Sequence, residues 1–289
     1  MIWLIGNKGM LGREVEKLLN RQKKYYVATD IEVDITNYEQ LKEFVSNKPI
    51  SWIINCAAYT SVENAEDEPE LVFKINADGP LNIADIAGKK NAKLVHISTD
   101  YVFDGEKKEA YVETDIPNPI NIYGKSKFKS EKNIAETVKA YFIIRSAWLY
   151  GQNGNNFVRT MIKLFKEKSK LKVVADQWGS PTYAYDLAEV IIRIIEINPV
   201  TYGIYHFTNE GKINWYQFST EVYNLAKIGG LITKPVEILP IETGQYPTKA
   251  KRPANTYLSK EKISRHFNIS LKPWKESLAH FISTSRSGL

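Results

Sequence analysis

Met1-Ile-Trp-Leu-Ile-Gly6-Asn-Lys-Gly9-Met-Leu-Gly12 opens the chain, and its reading decides the fold. Ile2 to Ile5 are apolar throughout, as in a strand of a parallel sheet covered on both faces. Three glycines follow at spacing three, and Arg13 to Leu19 reads as a helix. Gly6 can make the tight turn off the strand. Gly9 leaves no side chain between the backbone and a pyrophosphate, and Gly12 lets the helix pack closely on the sheet. The helix N-terminus then offers free N–H groups and a positive dipole end to an anion. The spacing is G-x-x-G-x-x-G, not the commoner G-x-G-x-x-G. A plain strand-to-helix turn can also carry glycines, so the rest of the chain has to decide.

The 289 residues are 43% hydrophobic and 25% charged, an ordinary globular composition with room for one large or two small domains. Net charge is +6, but the lysines are scattered and no basic run could track a phosphate backbone. Small anionic ligands are favoured and a nucleic-acid partner is not expected. The single cysteine, Cys56, excludes an internal disulfide and a four-cysteine zinc site, and reads as a small core residue. His96, His206, His266 and His280 show no ligand spacing, and Glu14 has no partner set, so no metal is expected. No apolar run approaches the ~20 residues of a membrane helix. No signal segment precedes the strand at residue 2. The expectation is a cytoplasmic protein with no membrane contact.

Strand and helix patterns alternate along the chain. Tyr25–Thr29 reads as a second strand, Ser51–Ala58 as a third, Lys93–Ser98 as a fourth and Ala140–Ser146 as a fifth. Helices are expected over Tyr38–Asn47, with Thr36 and Glu39 as a capping box, and over Pro69–Ala92. Further on, helices read at Phe157–Lys168, Tyr185–Ile197, Trp215–Ala226 and near Ser259–Ile263, with strands at Lys172–Ala175 and Ile204–Phe207. The pattern is α/β: a Rossmann-type doubly wound parallel sheet with a smaller mixed α/β substrate-binding domain. Residues 1–150 would form the dinucleotide-binding domain, with a helix at 183–198 returning to it. Residues 151–182 and 199–289 would form the substrate domain.

Polar residues cluster where such strands end. Asp30 closes the second strand, 18 residues past Gly12, and suits two adjacent hydroxyls of an adenosine ribose. It disfavours a 2′-phosphate unless lysines such as Lys23 or Lys24 compensate. Asp34-Ile35 suits the rim of an adenine pocket. Ala57-Ala58-Tyr59-Thr60 carries small residues where a cofactor could pass. Ser98-Thr99-Asp100 ends the fourth strand, although a local turn is a commoner fate for such hydroxyls. Tyr123 and Lys127 are four apart and share a helix face. A phenol titrating near ~10 is a poor acid–base group at neutral pH, and an ammonium one turn away favours the phenolate. With Lys125 and Lys129 also nearby, a chance pairing on a solvated helix is the competing reading.

Taken together these stretches resemble the extended short-chain dehydrogenase/reductase family. The carriers are Gly6-x-x-Gly9-x-x-Gly12, Asp30, Asn55-Cys-Ala-Ala58, Ser98-Thr99-Asp100 and Tyr123-x-x-x-Lys127. Within that family the chain looks most like the dTDP-4-dehydrorhamnose reductases. That likeness runs through Ser98–Gly105, Tyr123–Lys127, Arg145–Trp148, Asn155–Phe157, Asp176–Thr182 and Arg252–Asn255. It implies NADPH or NADH as cofactor, a dTDP-sugar as substrate, and a monomer or homodimer. It implies Tyr123 as proton donor to the C4 oxygen, Lys127 as its modulator and holder of the nicotinamide ribose, and Thr99 as a hydrogen-bond partner of the same oxygen. Gly9, Met10 and Leu11 would line the pyrophosphate, and Ala58, Tyr59 and Thr60 the cofactor further along. Asp100 and Trp148 would contact the sugar. Tyr59 departs from the histidine of many relatives, and Thr256-Tyr257 from a usual serine. Two other readings stay open: a non-catalytic regulatory subunit of the methionine adenosyltransferase type, and another nucleotide-sugar epimerase or reductase.

Overall fold

The computed structural model describes residues 1–285. Residues 286–289, the last of the expected substrate domain, lie outside the described residues. Strand β1 (Ile2–Ile5) runs into helix α1 (Met10–Arg21), followed by β2 (Tyr26–Thr29), α2 (Tyr38–Val45) and β3 (Trp52–Asn55). Helix α3 is composite: Pro69–Phe73 and Gly79–Lys89 are joined by a π-helical turn, Lys74–Asp78. Then come β4 (Lys93–Thr99), α4 (Ile122–Thr137) and β5 (Tyr141–Ser146). The chain leaves the sheet for α5 (Phe157–Glu167) and β6 (Lys170–Val174), and returns with α6 (Ala184–Ile197) and β7 (Gly203–His206). It ends with α7 (Trp215–Ile228), β8 (Glu237–Ile241), α8 (Glu261–Phe267) and α9 (Trp274–Thr284). No helix among the described residues is long and apolar enough to cross a membrane.

Six strands form one parallel sheet in the order β7-β5-β4-β3-β1-β2. From β1 the chain steps one way to β2 and then the other way to β3. That reversal opens a crevice at the strand ends, where open α/β sheets bind ligands. Ile5 pairs with both Thr29 and Asn55, so the three strands finish level beneath it.

Alternating side chains bury both faces. Leu4, Ile54, Val95 and Ile144 pack with α1, α6 and α8, whereas Trp3, Ile5, Ile53, Leu94 and Ile143 pack with α2, α3 and α4. Leu4 and Ile54 are fully buried. Truncating either to alanine would cost about 2–5 kcal/mol, a large part of the ~5–15 kcal/mol that holds a domain folded. The doubly wound α/β sheet is therefore the fold that the apolar strands imply. A third cluster joins Met161 and Phe165 of α5, Phe218 of α7 and Phe281 of α9 around β6. β7 pairs with β5 in the main sheet, and Ile263 and Phe267 of α8 pack on its core. A division at residue 199 separates both from the sheet they complete.

Three local readings are corrected. Asn37, not Thr36, caps α2, its side chain accepting from the Gln40 N–H at 3.1 Å. The Thr36 hydroxyl instead donates to Asp34 Oδ1 at 2.8 Å. The expected helix over 69–92 is interrupted by the π turn, just where Pro80 has no N–H to give the ladder. The extra residue rotates the buried stripe. Leu71 and Leu81 are 45% and 38% exposed, while Val72 and Ala77 are buried. β8 and α9 have no counterpart in the sequence reading.

Candidate active site

Gly6 sits at φ +80°, and a Cβ there would lie 2.7 Å from the Ala57 nitrogen. Only glycine fits that turn. A Cβ on Gly12 would lie 2.0 Å from the Gly6 carbonyl oxygen. Gly12 thus closes the loop on itself, and it borders neither cavity of the groove. Gly9 is the N-cap of α1 and offers no side chain to the first-turn N–H groups. Those donors remain for an anion.

Two adjoining cavities run along the strand ends and share Gly9, Cys56 and Ala58. The outer, about 650 Å³, is bordered by Gly6, Asp30, Asp34, Ile35 and Tyr59. The inner, about 450 Å³, is bordered by Met10, Leu11, Thr60, Thr99, Asp100, Tyr123, Lys127 and Trp148. Every expected site residue except Gly12 therefore meets this groove. Cys56 is half-buried at its centre and not a plain core residue. Burial pushes its thiol up to about 12 against the pull of Lys127, so it stays protonated.

Asn121 caps α4, accepting from the Gly124 N–H at 2.7 Å, and so sets Tyr123 in the first turn with Lys127 one turn on. Gly124 lets the helix close on the end of β4: a Cβ would lie 2.1 Å from the Tyr101 carbonyl oxygen. Burial raises the Tyr123 pKa, a hydrogen bond with Thr99 lowers it, and the charges of Asp100 and Tyr101 raise it. The net direction is upward, so the phenol is protonated at neutral pH. The Lys127 ammonium reaches back to the sheet, donating to the Ile97 carbonyl at 2.7 Å and lying 3.2 Å from His96 Nε2. Burial lowers its pKa to about 8, against the pull of Glu131 and Cys56. Both hydrogen bonds of the Lys127 ammonium thus run to β4.

Behind Lys127 the polar groups are paired. The Asn55 amide meets His96 Nδ1 at 3.0 Å, and Ser130 Oγ meets Nε2 at 3.2 Å. Thr99 donates to Asp100 Oδ1 at 3.0 Å. Burial pushes the Asp100 carboxyl up to about 6, against hydrogen bonds from Thr256 and Thr99. Ser98 serves the frame: it donates to Glu131 Oε1 at 2.5 Å, and Arg145 grips Glu131 at 2.9 and 2.7 Å. This buried pair fastens α4 to β5.

The sequence reading missed three contributors. Asn76, in the π turn, holds the Tyr59 N–H at 2.8 Å and its carbonyl at 3.0 Å, and reaches Ser126 Oγ at 3.0 Å. It ties the 58–60 loop to the helix of Tyr123. A π turn in a helix was the available signal only once the ladder was seen. Trp215 lies flat on Trp148, centroids 3.7 Å apart and planes at 15°. Trp148 itself is held at φ +48°, a conformation that costs an aromatic residue about 1–3 kcal/mol. Arg252 donates to the Tyr101 hydroxyl at 3.0 Å and pairs with Glu63. Trp215 and Arg252 border both the inner cavity and a third of about 520 Å³, where Phe157, Met161 and Val173 supply apolar walls.

A glycine turn at a topological switch point, a strand-end threonine and a Tyr-x-x-x-Lys helix around one groove define a short-chain dehydrogenase/reductase-type protein. The chain belongs to the family described as the RmlD substrate binding domain, whose model matches residues 1–287. It is 41% identical over 281 residues to a dTDP-4-dehydrorhamnose reductase of Aggregatibacter actinomycetemcomitans, covering 95% of this chain and 96% of that one. Among solved structures it is similar to a dTDP-4-dehydrorhamnose reductase of Clostridium acetobutylicum, at 40% identity and TM-score 0.93, covering 99% of each chain. It is also similar to one from Bacillus anthracis in complex with NADP, at 39% identity and TM-score 0.92, covering 98% of each.

Proposed function

We propose that this chain is an NAD(P)H-dependent oxidoreductase that reduces the C4 ketone of dTDP-4-dehydro-L-rhamnose to give dTDP-L-rhamnose. The observation that carries the reading is the meeting of Tyr123, Thr99 and Lys127 in a cavity continuous with the glycine-loop groove. The names of its relatives and the NADP in one of their structures support it.

The residues fit such a cofactor. Gly6 and Gly12 let the loop take its tight path, where a Cβ would strike backbone, and Gly9 leaves the first turn of α1 bare. Gly9, Met10 and Leu11 would hold the pyrophosphate, Asp30 the adenosine ribose, and Asp34 with Ile35 the adenine. Ala58, Tyr59 and Thr60 would line the middle, and Lys127 would hold the nicotinamide ribose. The bound nicotinamide supplies the hydride for C4.

Tyr123, kept protonated by burial, gives its proton from Oη to the C4 oxygen as negative charge develops there. Thr99 Oγ1 turns its hydrogen to the same oxygen, which frees Asp100 Oδ1 to accept from a sugar hydroxyl. Trp148 offers the sugar a flat wall. Arg252 supplies a cation for the diphosphate, and the third cavity an apolar place for the base. On this reading the six-stranded sheet with its helices, β7 and α8 included, serves mainly the cofactor, and the part built on α5, β6, α7 and α9 the sugar nucleotide.

Purified protein given the 4-keto sugar nucleotide should oxidise NADH or NADPH. Cofactor binding with no oxidation would replace the reading with a regulatory one.

A further inference from the structure

The adenosine end of the groove carries charges that the proton chemistry does not use. Both oxygens of Asp30 are engaged by backbone: the Lys8 N–H donates to Oδ2 at 2.9 Å and the Ile31 N–H to Oδ1 at 3.0 Å. Glu32 takes the Asp30 N–H on Oε1 at 2.8 Å and the Lys8 ammonium on Oε2 at 3.0 Å. Arg13 turns back from α1 and donates its Nε–H to the Lys8 carbonyl at 2.9 Å. Arg13 thus anchors the backbone of the residue whose ammonium Glu32 holds. Lys23 and Lys24 precede β2 and stand at its far end from Asp30, where Lys24 pairs with Glu196 at 3.8 Å. They do not serve this rim.

We propose that Glu32 sets the choice between the 2′-hydroxyl and 2′-phosphate forms of the cofactor, by holding the Lys8 ammonium away from a phosphate beside Asp30. The inference rests on the reading above, that this groove takes NAD(P)H. A 2′-phosphate brings close to two negative charges to a rim that already has two carboxylates. Lys8 can offset that only by leaving Glu32. Their side chains are 57% and 50% exposed, so the pair is solvated and easily exchanged. Removing the Glu32 charge releases Lys8 and removes a repulsion, and both changes favour the phosphate. A 2′-hydroxyl gains from neither.

The test is calorimetric titration of the full-length protein with NADP⁺ and with NAD⁺. Glu32→Gln keeps an acceptor for the Asp30 N–H and should tighten NADP⁺ about three- to fivefold, the upper range for an exposed ion pair, with NAD⁺ moved less than about twofold. Lys8→Met should weaken NADP⁺ about threefold or more and leave NAD⁺ unmoved. In the Lys8→Met background, Glu32→Gln should give less than its single-variant gain. Equal changes for both nucleotides, or none, would overturn the role of Glu32 and leave the groove's function intact. Binding of neither nucleotide by the unaltered protein would overturn the reading beneath it.

Discussion

Lys127 stands one helical turn from Tyr123, and its ammonium donates to the Ile97 carbonyl at 2.7 Å while burial holds the phenol protonated. Tyr123 holds a proton, and Lys127 is a buried cation at the floor of the groove, free to serve a ribose. Its surroundings come from three elements: Glu131 on its own helix, Cys56 after β3 and His96 on β4.

That position gives a pH dependence. Burial lowers the Lys127 pKa to about 8, so the charge is present below that pH and lost above it. Cofactor affinity should fall as pH rises through about 8, measured by fluorescence titration. Lys127→Arg should bind more weakly overall, because a larger group enters a full site, but its affinity should stay level to higher pH. A wild-type profile flat to pH 10 would remove the ammonium from the binding account.

Tyr123→Phe deletes the proton and little else. Turnover should drop about 10²–10⁴-fold, with cofactor affinity changed far less. Steady-state kinetics beside a binding titration separate the two, and near-normal turnover would reassign the acid.

Asp100 should trade stability for function. Its carboxyl moves from 3.8 to about 6 on burial, so the folded state binds this proton more tightly than the unfolded chain. The stability is fully present below the unfolded value and lost as pH rises through about 6. A rise of this size is worth roughly 3 kcal/mol. Asp100→Asn should therefore gain stability over wild type at pH 8 relative to pH 4, while turnover falls. Denaturant unfolding at both pH values reads the first effect; an equal difference at the two would refute it.

The chain shows how much its sequence discloses. Unbroken apolar runs such as Trp3-Leu4-Ile5 and Ile53-Ile54 make the strands and both covered faces readable, because a parallel sheet must bury each side. Strand-end residues such as Asp30 and Thr99 follow, since switch-point topology fixes where ligands lie. What stayed hidden depends on distant packing. Nothing in the pattern of the 69–92 stretch singles out Asn76, which the π turn aims at Tyr59. Trp215 looked like a helix start until Trp148 stacked on it from another segment. Lys127 could be placed on the right face, but spacing does not say whether an ammonium points up to a phenol or back to a carbonyl.

Asn76 offers a test of that hidden layer. Asn76→Ala removes the partners of both Tyr59 backbone groups, at about 1–3 kcal/mol for a buried bond of this kind. Thermal unfolding should shift down. KM for the cofactor should rise more than kcat falls, because the 58–60 loop lines the groove while Tyr123 keeps its own cap. Asn76→Asp keeps an acceptor for the Tyr59 N–H and should fall between. A kcat loss with unchanged KM would place the effect in α4 instead.

The central claim is hydride delivery to one carbon with a proton from Tyr123. The measurement that tests it most directly is NMR of the sugar formed from the 4-keto substrate and reduced cofactor deuterated at the transferable position. The account predicts one deuterium, bonded to C4 with a single configuration, and none at C3 or C5. Unlabelled C4, or inversion at C3 or C5 without reduction, would contradict it.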